Sequence, residues 1–526
     1  MVCTGKNIIG FQELRKGEKW FQSINPVTNK PNPCRFFIAT TQEMELALQL
    51  ATQSYPKFSL LSVSRKIEFL HQIHQNILQL GSHLTDQYCT ESGLNLTRAL
   101  AERKRTLWQI ELFIETLKKG HWQQASIDQA LPHRKPVEKP DIRKVLEPIG
   151  PVVVFGASNF PLAYSTAGGD TISALAAGCP VIVKSHPMHA GTGELVARAI
   201  MNAAKSTGMP EGVFSNVNSL NYEAGTFLAQ HPMVKGIGFT GSTYGGKALT
   251  HIVNSRKNPI PIFAEMGSLN PVVILPEAIS ENTDHILNVI VQSINLDAGQ
   301  FCTNPGLIFL MKDENSVKFQ NSLVQKLEKV RSQCMLHPQI KANYEKNSVS
   351  IKSISRTLLD IQKSIPENHI SPIITQTTAP NFCENPNFQE EVFGSFTLMV
   401  MCGNTEELEN ALNTLQGQLT GSIFSGKQEL KKHAQIVTIL KQKVGRLIFN
   451  GVPTGVEVCQ SMHHGGPFPS TSNSHFTAVG PDAIKRWTKP VSYQNWPQEF
   501  LPEALKNENP LGIMRIIDGK WSDRKI

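Results

Sequence analysis

No run of apolar residues in this 526-residue chain is long enough to span a bilayer, which sets a membrane-embedded role aside. The opening MVCTGKNIIGFQE has no apolar core of the signal-peptide kind, so a cytoplasmic protein is expected. Nine cysteines lie at 3, 34, 89, 179, 302, 334, 383, 402 and 459, and no two form a CxxC pair. An odd, widely spaced set excludes a disulfide framework and a structural zinc site, and predicts mostly buried thiols. Basic clusters such as Arg103-Lys104-Arg105 are short and are not interleaved with aromatics. The formal charge of +8 therefore reads as a solvated basic surface, or a field favouring an anionic substrate, and no nucleic-acid partner is expected. The GxGxxG fingerprint of an ordinary dinucleotide fold is missing, and no repeat of solenoid period occurs.

What is present is an alternation of strand and helix. The length implies two or three domains, since one core does not grow that large. Helical spacing of apolar residues runs through 43–51 and 65–80. Residues 132–140 are basic and proline-rich and read as a connector or arm. Pro151-Val152-Val153-Val154-Phe155 has the continuous apolar character of a buried parallel strand, as do Val181-Ile182-Val183 and Gly306-Leu307-Ile308-Phe309-Leu310. Residues 234–239, 271–275, 396–400 and 447–450 are further strands. Small-residue helices are predicted from Thr171 and over 191–206, and a helix over 284–294 with Asp284 at its start. The charge-rich run 318–331 reads as an exposed helix, and the last 40 residues as a surface-packing tail. The pattern implies an open α/β sheet with helices on both faces.

Two residues carry the chemistry. Cys302 closes the loop Asn295-Leu296-Asp297-Ala298-Gly299-Gln300-Phe301-Cys302, and Glu265 precedes it in FAEMGSLNP. A thiolate adds to an aldehyde carbon, and a separate carboxylate then activates water.

These segments, with Phe155-Gly156-Ala157-Ser158-Asn159-Phe160-Pro161, Lys184, Gly241-Ser242-Thr243 and Glu391-Val392-Phe393-Gly394, resemble the aldehyde dehydrogenase superfamily in order and over nearly the whole chain. STAGGDTISALAAGCPVIVKSHP and GVPTGVEVCQSMHHGGPFP are similar to the branch holding 2-oxoglutarate semialdehyde dehydrogenases and some NADP-linked fatty aldehyde dehydrogenases. The resemblance implies an α/β, aldehyde dehydrogenase-like fold. It comprises a Rossmann-like cofactor domain (1–121 and 148–264), an α/β catalytic domain (265–474), and an oligomerisation arm with tail (122–147 and 475–526).

The resemblance also implies roles. Cys302 attacks the carbonyl, Asn159 with the Cys302 N–H steadies the oxyanion, hydride leaves to a nicotinamide, and Glu265 activates the water that hydrolyses the thioester. Lys184 contacts the adenosine ribose, Gly241, Ser242 and Gly246 lie around the pyrophosphate, and Glu391 with Phe393 holds the nicotinamide ribose. Phe160, Gln300, Phe301 and Phe468 are expected near the substrate entrance. NAD-selective relatives often carry Glu where Pro187 stands, and Lys184 and His186 favour a phosphate, so NADP is expected to be accepted beside NAD. Met266-Gly267-Ser268 replaces the commoner Leu-Gly-Gly, and Ser395 replaces a proline, which is expected to loosen that loop. His463-His464 is read as loop structure near the substrate tunnel, and no metal is expected. The substrate expected is a small-molecule semialdehyde, 2-oxoglutarate semialdehyde first and fatty or aliphatic aldehydes second. A CoA-acylating reaction or a non-catalytic protein on the same scaffold fits Glu265, Cys302 and Asn159 less well. A homodimer or homotetramer is expected.

Overall fold

In a computed structural model, residues 3–361 and 365–526 are described. The first large sheet runs Ile262–Glu265, Gly236–Thr240, Val152–Phe155, Val181–Lys184, Phe214–Val217, Asn7–Ile9, Gln12–Leu14. Its first five strands are parallel, and an N-terminal hairpin adds antiparallel strands at the far edge. Along Val152–Phe155 alternate residues serve opposite faces. Val153 and Phe155 pack on Leu48, Leu228 and Leu249, whereas Val152 and Val154 pack among Ile172 and Leu195. Burial on both sides is why this strand reads as an unbroken apolar run. The chain order steps outward from Val152–Phe155 in one direction and then resumes on its other side at Gly236–Thr240. That reversal opens a crevice at the carboxyl ends of the two strands.

The second large sheet runs Arg356–Asp360, Ile373–Thr378, Phe396–Cys402, Leu307–Met311, Val272–Ile274, Gln418–Phe424, Val444–Phe449, parallel except for its first strand. A third sheet joins Thr488–Gln494, Ile142–Pro148, Ser126–Asp128, Arg515–Ile517 and Lys520–Ser522. Two α/β layers and a separate small sheet are the arrangement the sequence implied. Among the described residues, no helix is long and apolar enough to cross a membrane.

Four expectations change. The helix before the cysteine loop spans Pro276–Asn295, beginning at a proline suited to a first helical turn, and breaks at Asn282 (φ −137°, ψ 27°). Asp284 stands in the first turn after that break, at the start of the segment the sequence marked, and the helix gains a further stretch before it. The charge-rich helix Glu314–Glu328 is not simply exposed: Phe319, Leu323 and Leu327 on one stripe are fully buried against the second sheet. Only Cys179 and Cys402 are buried, and the other seven cysteines are half-buried in segments away from the sheet interiors. Ser395 tightens its loop instead of loosening it. Its buried hydroxyl donates to the Ile294 carbonyl (3.1 Å), and its own carbonyl accepts from the Tyr344 hydroxyl (3.2 Å) and the Ile373 N–H (2.9 Å).

Candidate active site

The cysteine loop leaves its helix through three consecutive left-handed residues, Asp297, Ala298 and Gly299 (φ 45°, 58° and 68°). Such a turn persists only when its surroundings fix it. Arg98 holds the Asp297 carboxylate at 2.7 Å, Gln333 accepts the Ala298 N–H at 2.9 Å, and a Cβ on Gly299 would sit 2.5 Å from the Gly394 carbonyl carbon. From the other side Asn270 donates to the carbonyls of Cys302 (2.8 Å) and Asn304 (2.9 Å). Asn159 donates to the Gln300 carbonyl (3.0 Å). The second N–H of that amide is left for a substrate oxygen. The Cys302 N–H meets no carbonyl among the described residues and faces its own sulfur.

Cys302 lines a cleft of about 510 Å³ with Phe160, Tyr164, Phe301, Arg98 and Arg105. Burial, followed by the charges of Glu265 and Glu391, pushes its thiol up to about 12. His464 Nε2 lies 3.7 Å from the sulfur, and its ring packs on Tyr164. Burial and the neighbouring Arg446, Arg105, Arg486 and His463 push that imidazole down to about 3, so it is neutral.

Glu265 ends strand Ile262–Glu265, where the parallel ladder stops and a bridge to Thr471 begins. It is almost wholly buried. Its Oε1 accepts from Arg486 Nη2 (2.8 Å), and its Oε2 has no partner. Burial raises the carboxyl to about 7 against the pull of Arg486. That value suits a group that must both take and release a proton near neutrality.

The residues that the resemblance assigns to the cofactor lie about the carboxyl ends of the first sheet and in a recess beside the second. Lys184 lies at its strand's carboxyl end, with no side-chain partner among the described residues, and burial lowers it to about 8. Gly241 and Ser242 are exposed at the start of helix Thr243–Asn254. Gly246 lies under Met266, whose sulfur would be 2.4 Å from an added Cβ. Glu391 leans over Gly267, 2.2 Å from the position of a Cβ there, and accepts only a 3.4 Å bond from the Ser268 N–H. Burial raises it to about 7. Phe393 lines the same recess. Among the described residues neither Lys184 nor Glu391 has a side chain of opposite charge beside it, so each could hold a phosphate or ribose group.

Three predicted residues take other places. Gln300 faces inward, donating to the Asp297 carbonyl (3.0 Å) and accepting from the Leu336 N–H (3.0 Å), so its side chain braces the loop instead of meeting substrate. Phe468 is 60% exposed beneath the Lys247 ammonium and does not line the cleft. The residue of that segment beside the Cys302 sulfur is His464. His186 accepts from the Met188 N–H at Nδ1 (3.3 Å) and is held well below its usual range by burial, His189, Lys184 and His337. It is neutral there, so any phosphate it meets would be held by its ring N–H and not by a charge. Phe160 and Phe301 do line the cleft, edge to face at 5.6 Å. Sequence reasoning missed Arg486, Arg105, Arg446 and the part played by His464. The adjacent histidines were a visible signal, whereas nothing local marks the arginines.

The description "Aldehyde dehydrogenase family" matches residues 12–491. The chain is 40% identical over 523 residues to alpha-ketoglutaric semialdehyde dehydrogenase 2 of Azospirillum brasilense, covering 99% of this chain and all of the relative. It is 39% identical to alpha-ketoglutaric semialdehyde dehydrogenase of Acinetobacter baylyi, covering 98% of each. The fold is similar to that of methylmalonate-semialdehyde dehydrogenase from Oceanimonas doudoroffii, with a TM-score of 0.80 at 18% identity over 94% of this chain and 99% of the other. With a match of this extent across both large sheets and the cysteine loop between them, the chain belongs to the aldehyde dehydrogenase family.

Proposed function

We propose that the enzyme oxidises a semialdehyde whose far end is a carboxylate, 2-oxoglutarate semialdehyde (2,5-dioxopentanoate) first, to the dicarboxylate, using NADP or NAD and water rather than CoA. The observation that carries the substrate class is Arg105. It lines the same cleft as Cys302, donates to the Val456 carbonyl and, at 3.4 Å, to the Tyr164 hydroxyl, and keeps a buried Nε–H without a partner. No carboxylate pairs with it among the described residues, whereas Arg98 in the same wall is neutralised by Glu102 and Asp297. Arg446, near enough for its charge to be felt at Cys302, likewise donates to backbone carbonyls alone. An uncompensated guanidinium in a cleft is a carboxylate receptor. The names of the two relatives at about 40% identity support the same substrate.

The chain's residues divide the work as follows. Cys302 sulfur bonds to the aldehyde carbon, and Asn159 with the Cys302 N–H receives the oxyanion. A nicotinamide dinucleotide held by Lys184, Gly241, Ser242, Glu391 and Phe393 supplies the hydride acceptor. Glu265 passes the proton it took from the thiol to solvent, and its Oε2 then takes one from water, whose oxygen bonds to the thioester carbon as the C–S bond breaks to return the Cys302 thiolate. His464 orients the sulfur. With the thiol near 12 and the imidazole near 3, it is too weak a base to take the thiol proton, whereas Glu265 near 7 is the stronger acceptor. NADP acceptance rests on Lys184 and on Pro187 standing where an acid would repel a phosphate.

The aromatic walls Phe160, Tyr164 and Phe301 support a second reading, oxidation of fatty or other aliphatic aldehydes. Purified enzyme assayed with carboxylated and neutral aldehydes of equal length, with both cofactors, separates them. Arg105→Leu is expected to raise KM for the carboxylated substrate at least about tenfold, the worth of a charge-assisted bond. The neutral aldehyde should change less than about twofold. Equal losses on both substrates would sink the carboxylate reading.

A further inference from the structure

Glu265 does not stand alone at its strand end. Arg486, in the turn Pro481–Trp487 near the far end of the chain, is 2% exposed and reaches it with Nη2. The other terminal nitrogen of the same guanidinium donates to Asp170 Oδ1 (3.0 Å), in the first turn of helix Gly169–Ala177. Asp170 is fixed from behind: a Cβ on Gly238 would come within 2.8 Å of its Oδ2. Trp487, fully buried, donates its indole N–H to Ser173 (2.7 Å) and packs edge to face on Phe263, so the turn that carries Arg486 cannot drift. Three segments distant in sequence thus form a buried row of carboxylate, guanidinium and carboxylate.

The row is asymmetric. Arg486 takes only Oε1 of Glu265 and leaves Oε2 buried and unpartnered. A bidentate grip would have occupied both oxygens. Resting on the hydrolytic role assigned to Glu265 above, we propose that Arg486, held in turn by Asp170, is a positioning residue that fixes one oxygen of Glu265 and presents the other to the hydrolytic water. The pair also sets how readily that oxygen takes the proton. Arg486 favours the carboxylate form, and the negative charge of Asp170 one step further opposes it. The other titratable groups that feel Glu265 are Cys302 and Tyr164, while His463 and His464 feel Arg486. Ser470, Thr471 and Ser472, in the loop laid across the strand end, carry no charge.

The test uses full-length enzyme and stopped-flow kinetics with saturating aldehyde and cofactor. The burst of reduced cofactor reports attack by Cys302, and the slower turnover reports hydrolysis. The acidic limb of the hydrolytic rate, followed from about pH 5.5 to about pH 9, is the readout. For the unaltered enzyme it should fall near 7. In Arg486→Gln it should move up by about one pH unit, as expected for loss of a neighbouring cation. In Asp170→Asn it should move down, and Arg486→Lys should return it toward the unaltered position. A burst should remain in each variant. Opposite displacement from the two sides of the guanidinium is something a merely structural role does not produce. A limb unmoved in both variants, or moved the same way in both, overturns the inference. If Arg486→Gln does not fold, Asp170→Asn decides alone: a lowered limb supports the inference and an unmoved one overturns it. Absence of any burst in the unaltered enzyme overturns the reading of Cys302 and this inference with it. A normal burst with an unmoved limb overturns the inference alone.

Discussion

At Cys302 two requirements conflict. The nucleophile must be a thiolate, yet burial and the carboxylates of Glu265 and Glu391 hold the thiol near 12. A raised value means the neutral thiol dominates at neutral pH and the reactive form appears only as pH rises. Alkylation of the Cys302 peptide in cofactor-free protein, followed by mass spectrometry, should therefore accelerate about tenfold per pH unit between about pH 8 and about pH 10. A rate already at its plateau near pH 7 would mean that the thiol is ionised without help. Two substitutions divide the cycle. Cys302→Ala should lose aldehyde-dependent cofactor reduction by orders of magnitude. Glu265→Gln should release about one hydride per site, more slowly than the unaltered enzyme because the stronger acceptor for the thiol proton is gone, and then stall at the thioester. Steady turnover at the unaltered rate in the latter would remove Glu265 from hydrolysis. Because its carboxyl lies near 7, hydrolysis in the unaltered enzyme should be full above that pH and fade below it.

At the scale of elements, the cysteine loop depends on a backbone few residues tolerate. Gly299→Ala combines a positive φ with a Cβ 2.5 Å from the Gly394 backbone. It should cost about 1–3 kcal/mol of stability and most of the activity, read by thermal denaturation and turnover. A variant as stable and active as the parent would show that the loop relaxes freely. The elements around this loop were legible to different degrees. Strands such as Val152–Phe155 and Val181–Lys184 were visible because burial on both faces makes them continuously apolar. The helical stretch over 276–281 was not, since the sequence marked a helix start only at Asp284, just past the break at Asn282. Cys302, Glu265 and Asn159 sit in motifs whose order is itself a signal. Gln300 shows the limit of that signal: its residue type is polar and its motif catalytic, but its neighbours Asp297 and Leu336 decide where it points. Arg486 gave no sign, because its meaning lies in contacts made across hundreds of residues, and Arg105 showed only as part of a short basic cluster.

At the scale of the whole molecule, the sheets end in strands that pair on one side only. Val444–Phe449 ends the second sheet with Leu447 and Phe449 exposed, and Thr488–Gln494 ends the small sheet with alternating exposed positions. Such edges call for a partner, and a symmetric assembly of identical chains supplies one. Light scattering behind size exclusion should give a dimer, or a pair of dimers, of the 58.2 kDa chain. A stable monomer at micromolar concentration would reject this. The cleft has a further consequence for how such an enzyme can change. Asn95, Arg98, Glu102 and Arg105 follow one face of a single helix, Leu96–Lys119 and its cap, whereas Cys302, Glu265, Asn159 and His464 come from four other stretches of chain. The polar wall of the cleft therefore lies on a piece of sequence separate from the reacting groups, whereas the aromatic walls Phe160 and Phe301 stand next to Asn159 and Cys302. Substitution at Arg105 would alter that wall while the reacting groups stay where they are, whereas substitution at Arg98 would also release Asp297 and with it the cysteine loop.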